Sequence, residues 1–114
     1  MTDRELLEAA AKAAGVRHIE YTNDYDGKNG LVMCDEVGRH QNDWNPLNDD
    51  GDALRLAVKL GICIGPNFDG DRAIADGGEF SQHYVFEMFG GDKDAATRRA
   101  IVRCAAAMAK EKAE

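Results

Sequence analysis

Apolar positions recur along this chain with two different periods, and the points where the period changes mark its elements. Leu6, Leu7, Ala10 and Ala14 fall on one helical face, behind Thr2 and Glu5 at capping-box spacing and ahead of Gly15, which predicts a helix over residues 3 to 14. From Arg17 to Tyr21 the pattern alternates, with Ile19 and Tyr21 on one side and His18 and Glu20 on the other. The turn residues of "NDYDGKNG" then lead into "LVMC", so this region reads as a hairpin whose second strand is apolar on both faces. A polar stretch from Asp35 to Asn48 follows, and Pro46 excludes a helix through it.

Beyond that stretch Ala53, Leu54, Ala57, Val58 and Leu60 make a helical face closed by Gly61, predicting a helix over residues 49 to 60. "ICI" at 62 to 64 reads as a short strand, "GPNFDGD" as a turn, and "RAIAD" at 72 to 76 as a weaker strand. "QHYVFEMF" at 82 to 89 is a strong strand pattern, because Tyr84, Phe86 and Met88 share a face. Asp92 or Asp94 can cap a long final helix, in which Thr97, Ile101, Cys104, Ala105 and Met108 recur at helical spacing and the tail "KEKAE" frays. The order is α-β-β-α-β-β-β-α, with no internal repeat and no low-complexity linker. "LVMC" and "ICI" are apolar on both sides, which favours an α+β layered sandwich, mainly antiparallel, with helices packed on the faces of its sheet, over a sheet with one wet face.

Composition narrows the class. At 114 residues the expectation is a single domain, residues 1 to 114. With 44% apolar and 31% charged residues it is too apolar for a disordered chain. A net charge of -7, from 21 acids against 14 bases, disfavours direct binding of nucleic acid, since phosphate contacts depend on neutralising backbone charge. "MTDRELLEAA" carries acids where a secretory signal carries bases, and no apolar run reaches membrane-spanning length, so the expected location is the cytoplasm. Cys34, Cys63 and Cys104 are odd in number, widely spaced and without a C-x-x-C pair, which suits reduced thiols better than disulfides or a zinc site.

No motif for chemistry emerges. "NDYDG", "NDDGD" and "NFDGD" look like the first half of a calcium loop, but placing each glycine at the sharp turn puts Thr22, Pro46 or Gly65 at the opening ligand position. They read as turns. His18, His40 and His83 are not paired with any cysteine by spacing, and Cys34, Cys63 and Cys104 all lie in apolar segments as small hydrophobes. The glycines form neither a phosphate loop nor a dinucleotide fingerprint, and Asp35 and Glu36 read as a solvated loop. Arg98, Arg99 and Arg103 form a compact basic group on a helix face. Neither catalytic nor metal residues are assigned, and no cofactor is expected.

Two strings, "WNPLNDDGDALRLAVKLGI" and "GGDKDAATRRAIVRCAAAMAK", resemble a family of small phage and prophage proteins, the phage ABA sandwich domain. The resemblance covers about half the chain. It implies a sheet between helical layers, a phage or prophage origin, and no catalytic residues to carry over. Trp44, Asn45, Pro46, Asp49, Asp50, Gly51 and Asp52 stand in the first motif, and Ala96, Thr97, Arg98 and Arg99 in the second. Trp44, Asn45, Asp49, Asp50, Asp52, Arg98 and Arg99 form the candidate partner surface, although helix starting explains the acids and ring burial explains Trp44. The expected function is a non-enzymatic protein-interaction module in the host cytoplasm, with a host or phage protein as partner and inhibition of a host protein as its narrower form. The alternatives are a small enzyme with a cysteine or carboxylate site, and a component of virion assembly. The oligomeric state is left open.

Overall fold

Each of the three helices begins on an oxygen-bearing side chain, as the sequence pattern requires. The computed structural model describes residues 2–15, 19–23, 29–34, 40–67, 69–78 and 83–112. Its elements run α1 (Asp3–Ala14), β1 (Ile19–Asn23), β2 (Asn29–Cys34), β3 (His40–Trp44), α2 (Asp50–Leu60), β4 (Cys63–Pro66), β5 (Arg72–Gly77), β6 (His83–Met88) and α3 (Lys93–Lys112). Thr2 Oγ1 accepts from the Glu5 N–H at 3.1 Å, Asp49 Oδ2 from the Asp52 N–H at 2.8 Å, and Asp92 Oδ1 from the Ala95 N–H at 2.9 Å. Each satisfies one of the amide donors a helix leaves free at its start. Gly15 (φ 74°) and Gly61 (φ 69°) end α1 and α2 in the left-handed conformation that other residues rarely adopt. Of the tail "KEKAE", residues 110–112 continue α3, and the rest lies outside the described residues.

The α+β class and the antiparallel pairing hold, with two differences. The strands form two separate three-stranded sheets, β1-β2-β3 and β4-β5-β6, each antiparallel in chain order. The extra strand is β3, inside the polar stretch expected to be a loop. It pairs with β2 from Leu31 opposite Trp44 to Cys34 opposite His40, with a shift of register between Met33 and Cys34. "HQNDW" has no apolar alternation of its own, and its extended form follows from the partner strand.

The core gathers around α3. Val102, Cys104, Ala100 and Ala105 are fully enclosed there, α1 contributes Leu6, Leu7, Ala10, Ala11 and Ala14, and α2 contributes Ala53, Leu56 and Ala57. A helix buried on so many sides carries little amphipathic asymmetry, and alanine faces let neighbouring helices approach closely. On the remaining side α3 meets β5, whose inward residues are Ala73, Ala75 and Gly77. A Cβ on Gly77 would lie 3.0 Å from Met108 Sδ, 3.1 Å from Cys104 Sγ and 3.1 Å from Ile62 Cγ1. Only glycine fits this contact without displacing a neighbour.

Three burial expectations change. Leu54 and Val58 are exposed, and Leu56 takes their place in the core, because the buried stripe of α2 runs through Ala53, Leu56, Ala57 and the half-buried Leu60. β4 is not covered on both faces: it is an edge strand in which Cys63 and Ile64 are exposed. The second sheet therefore has one open face. Its helices lie on the Ala73, Ala75 and Gly77 side, and Tyr84, Phe86 and Met88 point away from them.

Candidate functional site

The conspicuous Trp44 to Asp52 string is built from mutual hydrogen bonds. Trp44 is 6% exposed and belongs to the core, so it anchors the loop and forms no part of an outward surface. Asn45 Oδ1 accepts from the Leu47 N–H at 3.2 Å, closing an Asx turn, and the Asn45 N–H donates to Asp52 Oδ2 at 2.9 Å. Asp49 caps α2, while Asp52 also takes Arg55 Nη2 at 2.7 Å. Pro46 is fully buried. Asp49 and Asp50 keep exposed carboxylates, whereas the Asp52 side chain is largely enclosed.

Arg98 joins this string to the second motif. Its Nε donates to the Leu47 carbonyl at 2.8 Å and its Nη1 to Asp50 Oδ1 at 2.6 Å, with the Arg98 side chain itself mostly buried. Arg99 points elsewhere: Nη1 lies 2.9 Å from Asp3 Oδ1, and Nε 3.5 Å from Glu87 Oε1. The candidate residues thus divide into a bridged group around Arg98 and a separate Arg99 group. Together these two contacts bring the first turns of α1 and α2 against the first turns of α3. Acids distant in sequence, Asp3, Asp50 and Asp94 among them, therefore collect at one end of the helical layer. A shallow cleft of about 200 Å³ lies there, lined by Asp50, Leu54, Ile64, Asp94, Arg98 and Ile101.

A different surface stands out on the second sheet. The cross-strand register places Ile74 opposite Phe86, Arg72 opposite Met88, and Asp76 opposite Tyr84, all facing away from α3. Tyr84 is 55% exposed, Phe86 44% and Met88 54%, so three large apolar side chains stand side by side in solvent. The Arg72 guanidinium lies 4.9 Å from the Phe86 ring centroid, a cation–π contact, and also bonds Asp71 Oδ1 at 3.1 Å. The Arg72 guanidinium, and then the Asn67 amide, hold the Asp71 carboxyl below its ordinary range. Asp76 Oδ1 is buried and has no hydrogen-bond partner among the described residues.

This face was half visible in the sequence. Alternation shows that Tyr84, Phe86 and Met88 share a side, but which side α3 covers is set by the neighbouring strand. The available signal was the small-residue alternation of Ala73, Ala75 and Gly77.

The two described thiols behave oppositely. Cys63 is exposed on the edge strand, against the expectation of a buried hydrophobe, while Cys104 is buried as expected. Burial, and then the Asp76 charge, push the Cys104 thiol up to about 11, which keeps it neutral and non-nucleophilic near neutral pH. Its Sγ contacts the backbone carbonyl of His83 at 3.1 Å. His18 lies outside the described residues, as does most of the "NDYDG" segment. In "NFDGD", Asn67 Oδ1 accepts from the Asp71 N–H at 3.0 Å and Gly70 has φ 72°, the geometry of a turn.

What the geometry defines is a small α+β protein with antiparallel sheets and an uncovered apolar sheet face. No family model, no curated protein and no solved structure matches the chain.

Proposed function

We propose that the chain is a phage or prophage accessory protein that acts in the host cytoplasm without catalysis, by binding another protein through the open face of β5 and β6. One observation carries the binding surface: Tyr84, Phe86 and Met88 are exposed together beside Arg72. Aromatic residues, methionine and arginine are the types enriched in protein interfaces, and contiguous exposed apolar patches mark interaction sites more often than ordinary surface does. The phage assignment rests on the resemblance of the two motif strings. The net charge of -7 argues against direct nucleic-acid binding. Inhibition of a basic host protein is the narrower form, and the overall net charge of -7 suits it.

The test is recovery of companions from host lysate, infected and uninfected, by the tagged full chain and by a Tyr84→Ser, Met88→Ser double variant. A specific protein should be recovered by the parent chain and fall roughly tenfold or more with the variant, as loss of interface anchors costs about 2 kcal/mol. Equal recovery by a folded variant, or no specific companion, overturns the reading.

A further inference from the structure

The outer edge of β6 presents backbone that no described strand uses. The Phe89 N–H donates to the Asp71 carbonyl at 3.1 Å, and the Asn67 N–H to the Arg72 carbonyl at 3.1 Å. Together with the strand registers, these bonds set the phase of both ladders. Ala73, Ala75 and Gly77 exchange hydrogen bonds with Glu87, Val85 and His83, so the N–H and C=O groups of Tyr84, Phe86 and Met88 point away from the sheet. Arg103 Nη1 reaches this edge, donating to the Phe86 carbonyl at 3.0 Å and to Glu87 at 2.8 Å. An open groove of about 420 Å³ runs along it between Tyr84, Met88 and Arg103. The opposite edge is protected: β4 has four residues, its outward positions are Ile64 and Pro66, and proline offers no N–H.

We propose that β6 pairs antiparallel with β6 of a second copy about a two-fold axis at Phe86, joining two three-stranded sheets into one of six strands. Charge and side-chain matching select this register. With the axis at Phe86, Phe86 faces its own copy and Tyr84 faces Met88, so every outer-face residue of the strand meets an apolar partner and about six backbone hydrogen bonds form, the Phe86 carbonyl accepting from its copy with the lone pair that Arg103 does not use. Glu87 then lies opposite Val85, and its carboxylate is already neutralised by Arg103 and Arg99. An axis at Glu87 would set two carboxylates directly opposite each other, which is destabilising. An axis at Val85 would leave Met88 opposite residue 82, beyond the end of β6. The Phe86 register is self-complementary, as an isologous contact must be. It leaves the side chains of Tyr84, Phe86 and Met88 on the outer face, doubling that surface, and it does not depend on what binds there.

Sedimentation of the full chain from micromolar to millimolar concentration, with amide hydrogen exchange at both ends, tests this. A monomer–dimer equilibrium is expected, in which the Tyr84, Phe86 and Met88 amides slow by roughly tenfold or more at high concentration while Val85 and Glu87 stay protected throughout. Phe86→Pro removes an outward N–H that β5 does not use, and should abolish the dimer. A chain that stays monomeric, a dimer whose three edge amides exchange as fast as in dilute solution, or a folded Phe86→Pro protein that still dimerises each overturns the proposal. If Phe86→Pro fails to fold, the exchange measurement on the parent chain decides alone.

Discussion

Arg98 donates its Nε hydrogen to the carbonyl of Leu47 at 2.8 Å, across fifty-one residues of chain, and thereby holds the first turns of α3 against the turn that starts α2. The bond is partly buried and the Arg98 side chain is 16% exposed, whereas the Asp50 carboxylate it also meets is 75% exposed. The two contacts therefore differ in weight: a desolvated carbonyl left without its donor costs more than a solvated ion pair lost.

Arg98→Ala should accordingly lower unfolding free energy by about 1–3 kcal/mol, and Asp50→Ala by less than about 1 kcal/mol. Arg98→Lys should recover only part of the loss, because an ammonium cannot reproduce the fork that reaches both acceptors. Chemical denaturation of the three variants measures this. Equal losses for Arg98→Ala and Asp50→Ala would place the energy in the ion pair instead.

Gly77 faces a close approach of three side chains, and adding a methyl group there should destabilise by about 1–3 kcal/mol through overpacking. Met108 is flexible and can yield, so Gly77→Val should cost more than Gly77→Ala, and Met108→Ala should partly rescue Gly77→Ala in a double-mutant cycle. Thermal melts of the parent and the four variants decide. A Gly77→Ala protein as stable as the parent would mean that α3 stands farther from β5 than these contact distances require.

What was legible in the sequence was local chemistry. The helix starts at Thr2, Asp49 and Asp92 and the stops at Gly15 and Gly61 depend on bonds within a few residues; Thr2 and the two glycines were readable outright, and the other two starts only as a choice between Asn48 and Asp49 and between Asp92 and Asp94. What was illegible depended on partners distant in sequence. β3 is extended because it hydrogen-bonds β2, with nothing in "HQNDW" to announce it. The outward turn of Tyr84, Phe86 and Met88 follows from which side of β5 is small enough for α3 to approach. Arg98 was visible as part of a basic group, but its acceptor at Leu47 was not.

The exposure of Cys63 and the burial of Cys104 give a labelling prediction. Brief alkylation of the native protein at neutral pH, followed by peptide mass analysis, should modify Cys63 and leave Cys104 intact until denaturant is added. Early modification of Cys104 would show that the contact between α3 and β5 opens readily under native conditions.

Cys104 also ties stability to alkaline pH in a definite direction. Burial raises its folded pKa from the ordinary 9.0 to about 11, so on raising the pH the unfolded chain loses this proton first. Between those values the native state holds more protons than the unfolded state, and the unfolding free energy therefore falls as pH rises. The contribution is fully present below pH 9.0 and gone once the pH has passed the folded value of about 11. Lysines and tyrosines titrate over the same range, so the informative quantity is the difference between the parent and Cys104→Ala. Cys104→Ala should be less stable at neutral pH, having lost a buried sulfur, yet the gap should narrow steadily above pH 9.0. A gap constant across the alkaline range would mean that the thiolate is accommodated in the folded protein, and that water reaches Cys104 between α3 and β5.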